Sequence, residues 1–479
     1  MGNSVQANTG LIGLGVMGRN LGLNLLDHEL HLSAYSYSET ERADFSQSLE
    51  NTSRQKFARI PSSLEELVSN LSTPRIILMM VTAGDPVDSV IKDLTPLLTQ
   101  GDILIDGGNS HYTDTMRREL MLKEKQLHYI GTGISGGEEG AREGASLMVG
   151  GSRGAFELSS SIFKALSTEA KGEPCFGHVG SDGAGHFVKM VHNGIEYGVM
   201  QLIAESYCFM KQHLGESNQR IAEQYAGWNQ TKLRSYLMEI TADIFTKRDD
   251  QTDGFLIDVI SDRAGQKGTG RWTVDAAMEL GVPVPGIVAA VTERQLSGLH
   301  ALRQATVALA SQPGSMHESD RAVWNAKLEN ALYASVLIMY VQGLSLIQAA
   351  SEHYGWRTNL AQVIRLWRGG CIIRAELLET LIQVVEEKES LHPIQSGTLA
   401  AEVQPRVSDW REVVSASITS GLPLPAMSAS LNYLSSLHTA YLPLNLVQAQ
   451  RDYFGAHTYE RIDRPGVFHT EWNSLDESE

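Results

Sequence analysis

Cysteine is scarce: three among 479 residues, Cys175, Cys208 and Cys371, with no metal-ligand spacing around them. So small and odd a set excludes a disulfide framework and fits buried thiols in a reducing compartment. Positive charge is also short. Against 56 Asp and Glu stand only 39 Lys and Arg, a formal net charge of −17, which argues against nucleic acid or an anionic membrane as partner. An anionic substrate would need its own patch of converging Lys and Arg. Long uninterrupted hydrophobic runs are missing too: the most apolar stretch, 334–350, is broken by Gln342 and Ser345 and reads as a buried helix rather than a membrane span. The N-terminus lacks the basic-then-apolar pattern of a secretory signal, and Gln6 stands where a myristoylation motif needs Ser or Thr. A cytoplasmic protein of two or three domains is expected from this length and composition.

What is present begins with Gly13-Leu14-Gly15-Val16-Met17-Gly18, which follows the short apolar run 9–12 and opens a helical pattern. In that context the glycines permit a tight turn and let backbone N–H groups and the helix N-terminus approach a pyrophosphate. The second strand, 30–35, ends in Ser36-Tyr37-Ser38-Glu39. The strand end carries neither the acid usual for a ribose 2′-hydroxyl nor an adjacent Arg for a 2′-phosphate. Ser36, Tyr37 and Ser38 could offer hydroxyls to a phosphate, with Arg42 one turn on, so the choice between NAD and NADP stays open. Further strand-like runs at 75–81, 102–105 and 128–130 end in small residues: Thr82-Ala83-Gly84, Asp106-Gly107-Gly108-Asn109-Ser110 and 131–137. Strands alternating with helices imply a parallel sheet whose ligands bind beyond the carboxyl ends of its strands. That places Asn109, Ser135, Gly136 and Gly137 where a substrate would meet the nicotinamide; as isolated loops they would be plain turns.

The stretch 186–197 is read as a helix. At about 100° per residue, Lys189, His192, Asn193 and Glu196 share one face, beside an apolar stripe of Val188, Val191, Ile195 and Leu202. The face is either solvated or an acid/base site. Gly185 before it and Gly194 within it favour close approach by a backbone or ligand.

From about 185 to 440 the pattern is helical and repeats: Gly281-Val282-Pro283-Val284-Pro285 recurs as Gly421-Leu422-Pro423-Leu424-Pro425, Leu233-Arg234 as Ile373-Arg374, and Gly215 as Gly355. One constant shift points to a duplicated helical unit. The same shift carries Lys189, His192, Asn193 and Glu196 onto Glu329, Leu332, Tyr333 and Val336, so only the first copy keeps the polar set. Between the copies, 264–272 holds Lys267 among glycines, an anion holder or a flexible loop. Arg294 follows on a helical run. The tail, 450–460, is aromatic-rich and is expected to dock against something, such as another subunit.

These motifs in this order, with Ser135-Gly136-Gly137-Glu138, Gly265-Gln266-Lys267-Gly268-Thr269-Gly270 and the 450–459 tail, are very similar to the decarboxylating 6-phosphogluconate dehydrogenase family from about residue 11 to 460. The resemblance implies an α/β Rossmann-like N-terminal domain (1–183), a large duplicated all-α domain (184–445) and a C-terminal tail (446–479) that reaches the partner in a homodimer. It implies oxidation and decarboxylation of 6-phosphogluconate in the pentose phosphate pathway, with NADP, or NAD, as cofactor and no metal. Lys189 would be general base and acid, and Glu196 the finishing acid. Asn109, Ser135, Gly136, Gly137, His192, Asn193 and Tyr197 would contact the sugar acid. Lys267, Arg294 and, from the other subunit, Arg451 and His457 would hold its phosphate. Gly13, Gly15, Val16, Met17, Gly18, Ser36, Tyr37, Ser38, Val81, Thr82, Ala83 and Asn109 would line the nucleotide. The sequence departs from the family's usual pattern at Gly15 (Ala), Tyr37 (Arg), Thr82 (Lys), and Ala145 and Val149 (both Pro). The first two leave NAD use credible; the others, at Thr82 and in the 144–150 loop, bear on loop stiffness near the nicotinamide. Two rival readings are a β-hydroxyacid dehydrogenase of the 3-hydroxyisobutyrate type, which needs neither the phosphate holders nor this duplication, and a non-catalytic nucleotide-binding regulator.

Overall fold

Short runs buried on both sides set the sheet. In a computed structural model, which describes residues 6–307, 320–387 and 392–472, the strands are β1 (Thr9–Ile12), β2 (Leu32–Tyr35), β3 (Ala58–Arg59), β4 (Ile76–Met79), β5 (Ile103–Asp106), β6 (His128–Ser135), β7 (Ser146–Val149) and β8 (Phe176–His178). They lie in the order β8-β7-β6-β5-β4-β1-β2-β3. All neighbours pair parallel except β6 with β7. Side chains alternate between two cores: Leu11, Ile76, Leu78, Ile103 and Ile105 on one face, Ile12, Ile77, Met79 and Leu104 on the other. Such strands read as continuous apolar runs because both faces are covered.

Two expectations are corrected. Residues 131–135 are not a loop but the second half of β6, with Thr132, Gly133, Ile134 and Ser135 paired to Val149, Met148, Leu147 and Ser146. The supposed loop 144–150 is largely β7, buried throughout. Glycine-rich spacing misled here, because the glycines serve close packing rather than turning: a Cβ on Gly133 would lie 2.3 Å from Lys189 Cβ.

The first compact unit, 1–430, continues into helices. Helix α1 (Val16–Asp27) follows the glycine loop. Helix α2 (Ala184–Cys208) lies against α3 (Arg321–Tyr354), whose most apolar window is 94% buried. This is the one described helix long and apolar enough to span a membrane, and it is core instead. Gly198 faces Met339 and Gly343 faces Ile195, which lets the two helices close in.

The duplication is visible helix by helix. Helices Asn218–Trp228, Tyr236–Thr246, Thr269–Glu279 and Pro285–Gly298 recur as Leu360–Leu366, Leu378–Glu387, Val407–Thr419 and Pro425–Leu437. Gly215 and Gly355, and Gly281 and Gly421, all have φ of 65–73°, a backbone conformation that favours glycine after a helix. Equivalent residues of the copies also meet: Tyr236 N–H donates to the Arg374 carbonyl at 3.1 Å and Glu376 N–H to the Arg234 carbonyl at 2.8 Å, a reciprocal pair. The 264–272 segment therefore falls inside the first copy, before helix Thr269–Glu279, and not between the copies as expected.

The second unit, 431–479, contains helix Leu444–Gly455 and a hairpin of Tyr459–Glu460 with Val467–Phe468. Buried Asp452 organises it, accepting from Thr458 N (2.9 Å), His469 Nδ1 (2.9 Å), Thr470 N (3.0 Å) and Trp472 Nε1 (2.8 Å). Burial alone would raise its pKa, but these donors outweigh that and hold the carboxyl at about 2.

Candidate active site

Helix α2 crosses the sheet at β6, and its contact there fixes the lysine. Gly185 sits on the Gly131 carbonyl, with 2.2 Å left for a Cβ, and Gly133 takes the stem of Lys189. Only glycines allow that approach. Lys189 is buried, and His192 is wholly so. Lys189 Nζ lies 3.5 Å from His192 Nδ1, which lies 3.2 Å from Asn193 Oδ1 and 3.8 Å from Glu196 Oε2. Ser135 Oγ, at the end of β6, lies 3.2 Å from His192 Nε2. The set is satisfied when Nδ1–H donates to Asn193 and the Ser135 hydroxyl donates to Nε2, a neutral imidazole.

Burial decides the charges. It lowers the Lys189 pKa against the opposing pull of Glu196 and Cys371. It raises that of Glu196 against Lys189 and Arg294, and holds His192 well below its usual value, helped by Lys189. An amine drawn toward its free base beside a carboxyl drawn toward its acid form is a pair suited to moving protons. It is not a solvated helix face.

The loops expected to hold the nucleotide gather at the carboxyl ends of β1, β4 and β5. Gly13 has φ +96° and no room for a Cβ beside the Met80 carbonyl (2.3 Å), and a Cβ on Gly18 would lie 1.9 Å from the Gly13 carbonyl. Gly15 caps α1 without any side-chain hydrogen bond, and no acid stands in the first turn. Val16 is exposed and Met17 half-buried there. These N–H groups, and the positive end of the helix, fit a pyrophosphate. Val81 packs beside Gly13, with Thr82 exposed and Ala83 half-buried after it. Asn109 is exposed on a loop shaped by Asp106, which accepts from Gly108 N (3.0 Å), Ser110 Oγ (2.6 Å) and Tyr129 OH (2.8 Å).

Comparison with known proteins fits this geometry. Residues 8–180 match the NAD binding domain of 6-phosphogluconate dehydrogenase, and 185–472 its C-terminal domain. The chain is 46% identical to an NADP(+)-dependent, decarboxylating 6-phosphogluconate dehydrogenase of Bacillus subtilis, over 97% of this chain and 98% of that one. It is likewise 46% identical to a decarboxylating 6-phosphogluconate dehydrogenase of Synechococcus elongatus, over 97% and 98%. The chain belongs to the 6-phosphogluconate dehydrogenase family. A solved member, the Plasmodium falciparum 6-phosphogluconate dehydrogenase, superposes with a TM-score of 0.92 at 40% identity, covering 97% of this chain and all of that one.

The remaining family positions are placed unevenly. The Arg294 guanidinium stacks 3.4 Å over the Tyr197 ring and donates to the Gly265 carbonyl at 3.2 Å. This ties the glycine loop to the site helix, with Lys267 exposed on that loop. Tyr197 in turn packs on Gly270. Gly136 (φ +119°) and Gly137 (φ +62°) turn the chain after β6, with Gly136 against the Gly370 carbonyl. Arg451 and His457 belong to the second unit, where both are exposed; Arg451 donates to Gln448 at 3.1 Å and His457 meets Phe454 edge-on.

The sequence reading missed Asp106, whose signal was an acid at a strand end before two glycines. It also missed the Trp367–Cys371 wall, where the Trp367 ring stands edge-on to His192 at 5.7 Å and burial pushes the Cys371 thiol up to about 12. Nothing local in the sequence marks that wall, which comes from the second helical copy.

Proposed function

We propose that this chain oxidises and decarboxylates 6-phospho-D-gluconate to D-ribulose 5-phosphate and CO2, with NADP+, or NAD+, as oxidant. The observation that carries this reading is the buried Lys189 amine beside Glu196, beyond the strand ends that cradle a dinucleotide. Gly13, Gly15, Val16, Met17, Gly18, Ser36, Tyr37, Ser38, Val81, Thr82, Ala83 and Asn109 are the residues for the nucleotide. When bound, its nicotinamide supplies the hydride acceptor.

Lys189, as the free amine, takes the proton of the C3 hydroxyl while hydride leaves C3. The product is a β-keto acid. Lys189, now an ammonium, returns the proton to the C3 oxygen as the C1 carboxyl departs as CO2, which leaves an enediol. Glu196, whose acid form burial favours, delivers a proton to the carbon that lost CO2, while Lys189, again the free amine, takes the proton from the C3 enol oxygen and restores the carbonyl. Ser135, Gly136, Gly137, His192, Asn193, Tyr197 and Asn109 orient the sugar acid. Neutral His192 adds no competing charge beside the amine.

The phosphate is held by Lys267 and Arg294 together with Arg451 and His457 of the partner subunit, through charge-assisted hydrogen bonds. This makes the working form a homodimer. The functional segments are 1–183 for the nucleotide, 184–445 for substrate and dimerisation, and 446–479 for the shared site. Three free cysteines, two of them buried, suit a cytoplasmic location. Initial rates with 6-phosphogluconate and each nucleotide, with CO2 release measured alongside, test the reading. One CO2 per reduced nucleotide is expected; reduction without CO2 would favour a simple β-hydroxyacid dehydrogenase, and neither product a non-catalytic nucleotide binder.

A further inference from the structure

The end of β2 carries an arrangement that the nucleotide reading above does not use. Helix Glu39–Leu49 begins with Ser38 as its cap, the serine hydroxyl accepting from Glu41 N at 3.3 Å. The Glu41 side chain folds back over that turn, and its Oε2 accepts from Ser36 Oγ at 2.5 Å. Its Oε1 points to the glycine loop: it is the one atom among the described residues within 4 Å of where a Gly15 Cβ would stand, at 3.7 Å. A carboxylate therefore occupies the corner between β2 and the glycine turn, five residues later in sequence than an acid reading the ribose is looked for.

The groups that would welcome a 2′-phosphate at this corner are engaged elsewhere. Ser36 donates to Glu41. Tyr37 OH donates to Asp93 at 2.9 Å. Arg42 donates to the Ser36 carbonyl and lies over the Tyr35 ring, 5.4 Å from its centre.

We propose that Glu41 reads the adenosine ribose in this chain: its free Oε1 accepts from the 2′-hydroxyl of NAD+, and its charge repels the 2′-phosphate of NADP+. NAD+ is then a competent oxidant here, and discrimination against it is weak. The chemistry is that of any carboxylate set at this corner of a dinucleotide fold: a hydroxyl is a donor to it, whereas a phosphate brings about two like charges. This inference rests on the dehydrogenase reading above.

The test is binding of NADH and NADPH, by fluorescence titration or calorimetry, to the full-length protein and to Glu41→Gln and Glu41→Asp. Glu41→Gln is expected to tighten NADPH and loosen NADH. The affinity ratio should move on the order of 10- to 100-fold, the worth of one hydrogen bond to a charged acceptor. Glu41→Asp keeps the charge but shortens the reach, so it should loosen NADH and leave NADPH disfavoured. The ratio of kcat/KM values should follow through KM, with kcat little changed. An unmoved ratio, or an equal loss for both nucleotides, would overturn the inference and leave Glu41 a brace for the β2 turn. If neither nucleotide bound the unaltered protein, the dehydrogenase reading would fall as well.

Discussion

Lys189 and Glu196 sit about two turns apart on one helical face, in surroundings that penalise charge on both. In the proposed reaction the lysine has to be neutral to accept a proton and the glutamic acid protonated to give one. Activity therefore rises with pH as the amine loses its proton and falls as the carboxyl loses its own. Because the two groups feel one another, both limbs of the kcat/KM profile belong to the pair rather than to either residue. Glu196→Gln is expected to flatten the high-pH limb and to cut turnover by roughly 10²- to 10⁴-fold, the usual worth of a positioned acid. A retained high-pH limb in that variant, measured across the pH range with substrate saturating and subsaturating, would remove Glu196 from the chemistry.

At the scale of elements, the decisive contact is α2 on β6. Gly133→Ala would set a methyl 2.3 Å from Lys189 Cβ and 3.0 Å from the Gly185 carbonyl. Helix and strand would have to part. A loss of about 1–3 kcal/mol of stability is expected from such overpacking, read from denaturant unfolding, together with a fall in kcat larger than the rise in KM. Unchanged kcat would mean that the lysine tolerates displacement. This same contact explains what the sequence could and could not disclose. The polar face of α2 was legible because helix periodicity is local, and so was the Gly13–Gly18 turn, where spacing alone implies backbone approach. The second half of β6 and all of β7 were not. Their glycines answer to a helix more than fifty residues later, Gly133 to Lys189 and Gly131 to His186, and no local pattern distinguishes a glycine that turns the chain from one that admits a neighbour. The cross-copy wall at Trp367 and Cys371 was hidden for the same reason.

For the whole molecule, duplication supplies a frame in which only one copy carries the polar set. The halves brace one another through buried polar caps. Glu205 on α2 accepts from Ala426 N and Met427 N, each at 2.8 Å, and Gln342 on α3 accepts from Gly286 N at 2.9 Å, so each central helix caps a helix of the other copy. The repeat was readable from turn glycines and prolines at one constant shift, although the position of 264–272 within the first copy was not. Whether the tail completes the site is tested by removing residues 451–479. If Arg451 and His457 of the partner subunit hold the phosphate, the KM for 6-phosphogluconate should rise at least about tenfold, with nucleotide affinity kept; an unchanged KM would argue against a shared site. The central claim, that a buried neutral amine shuttles the protons, is tested most directly by Lys189→Ala, with CO2 and reduced nucleotide measured together and folding checked by circular dichroism. A folded protein that still binds nucleotide but has lost roughly 10²-fold or more of its turnover for both products is the expected result; near-normal formation of either product would contradict it.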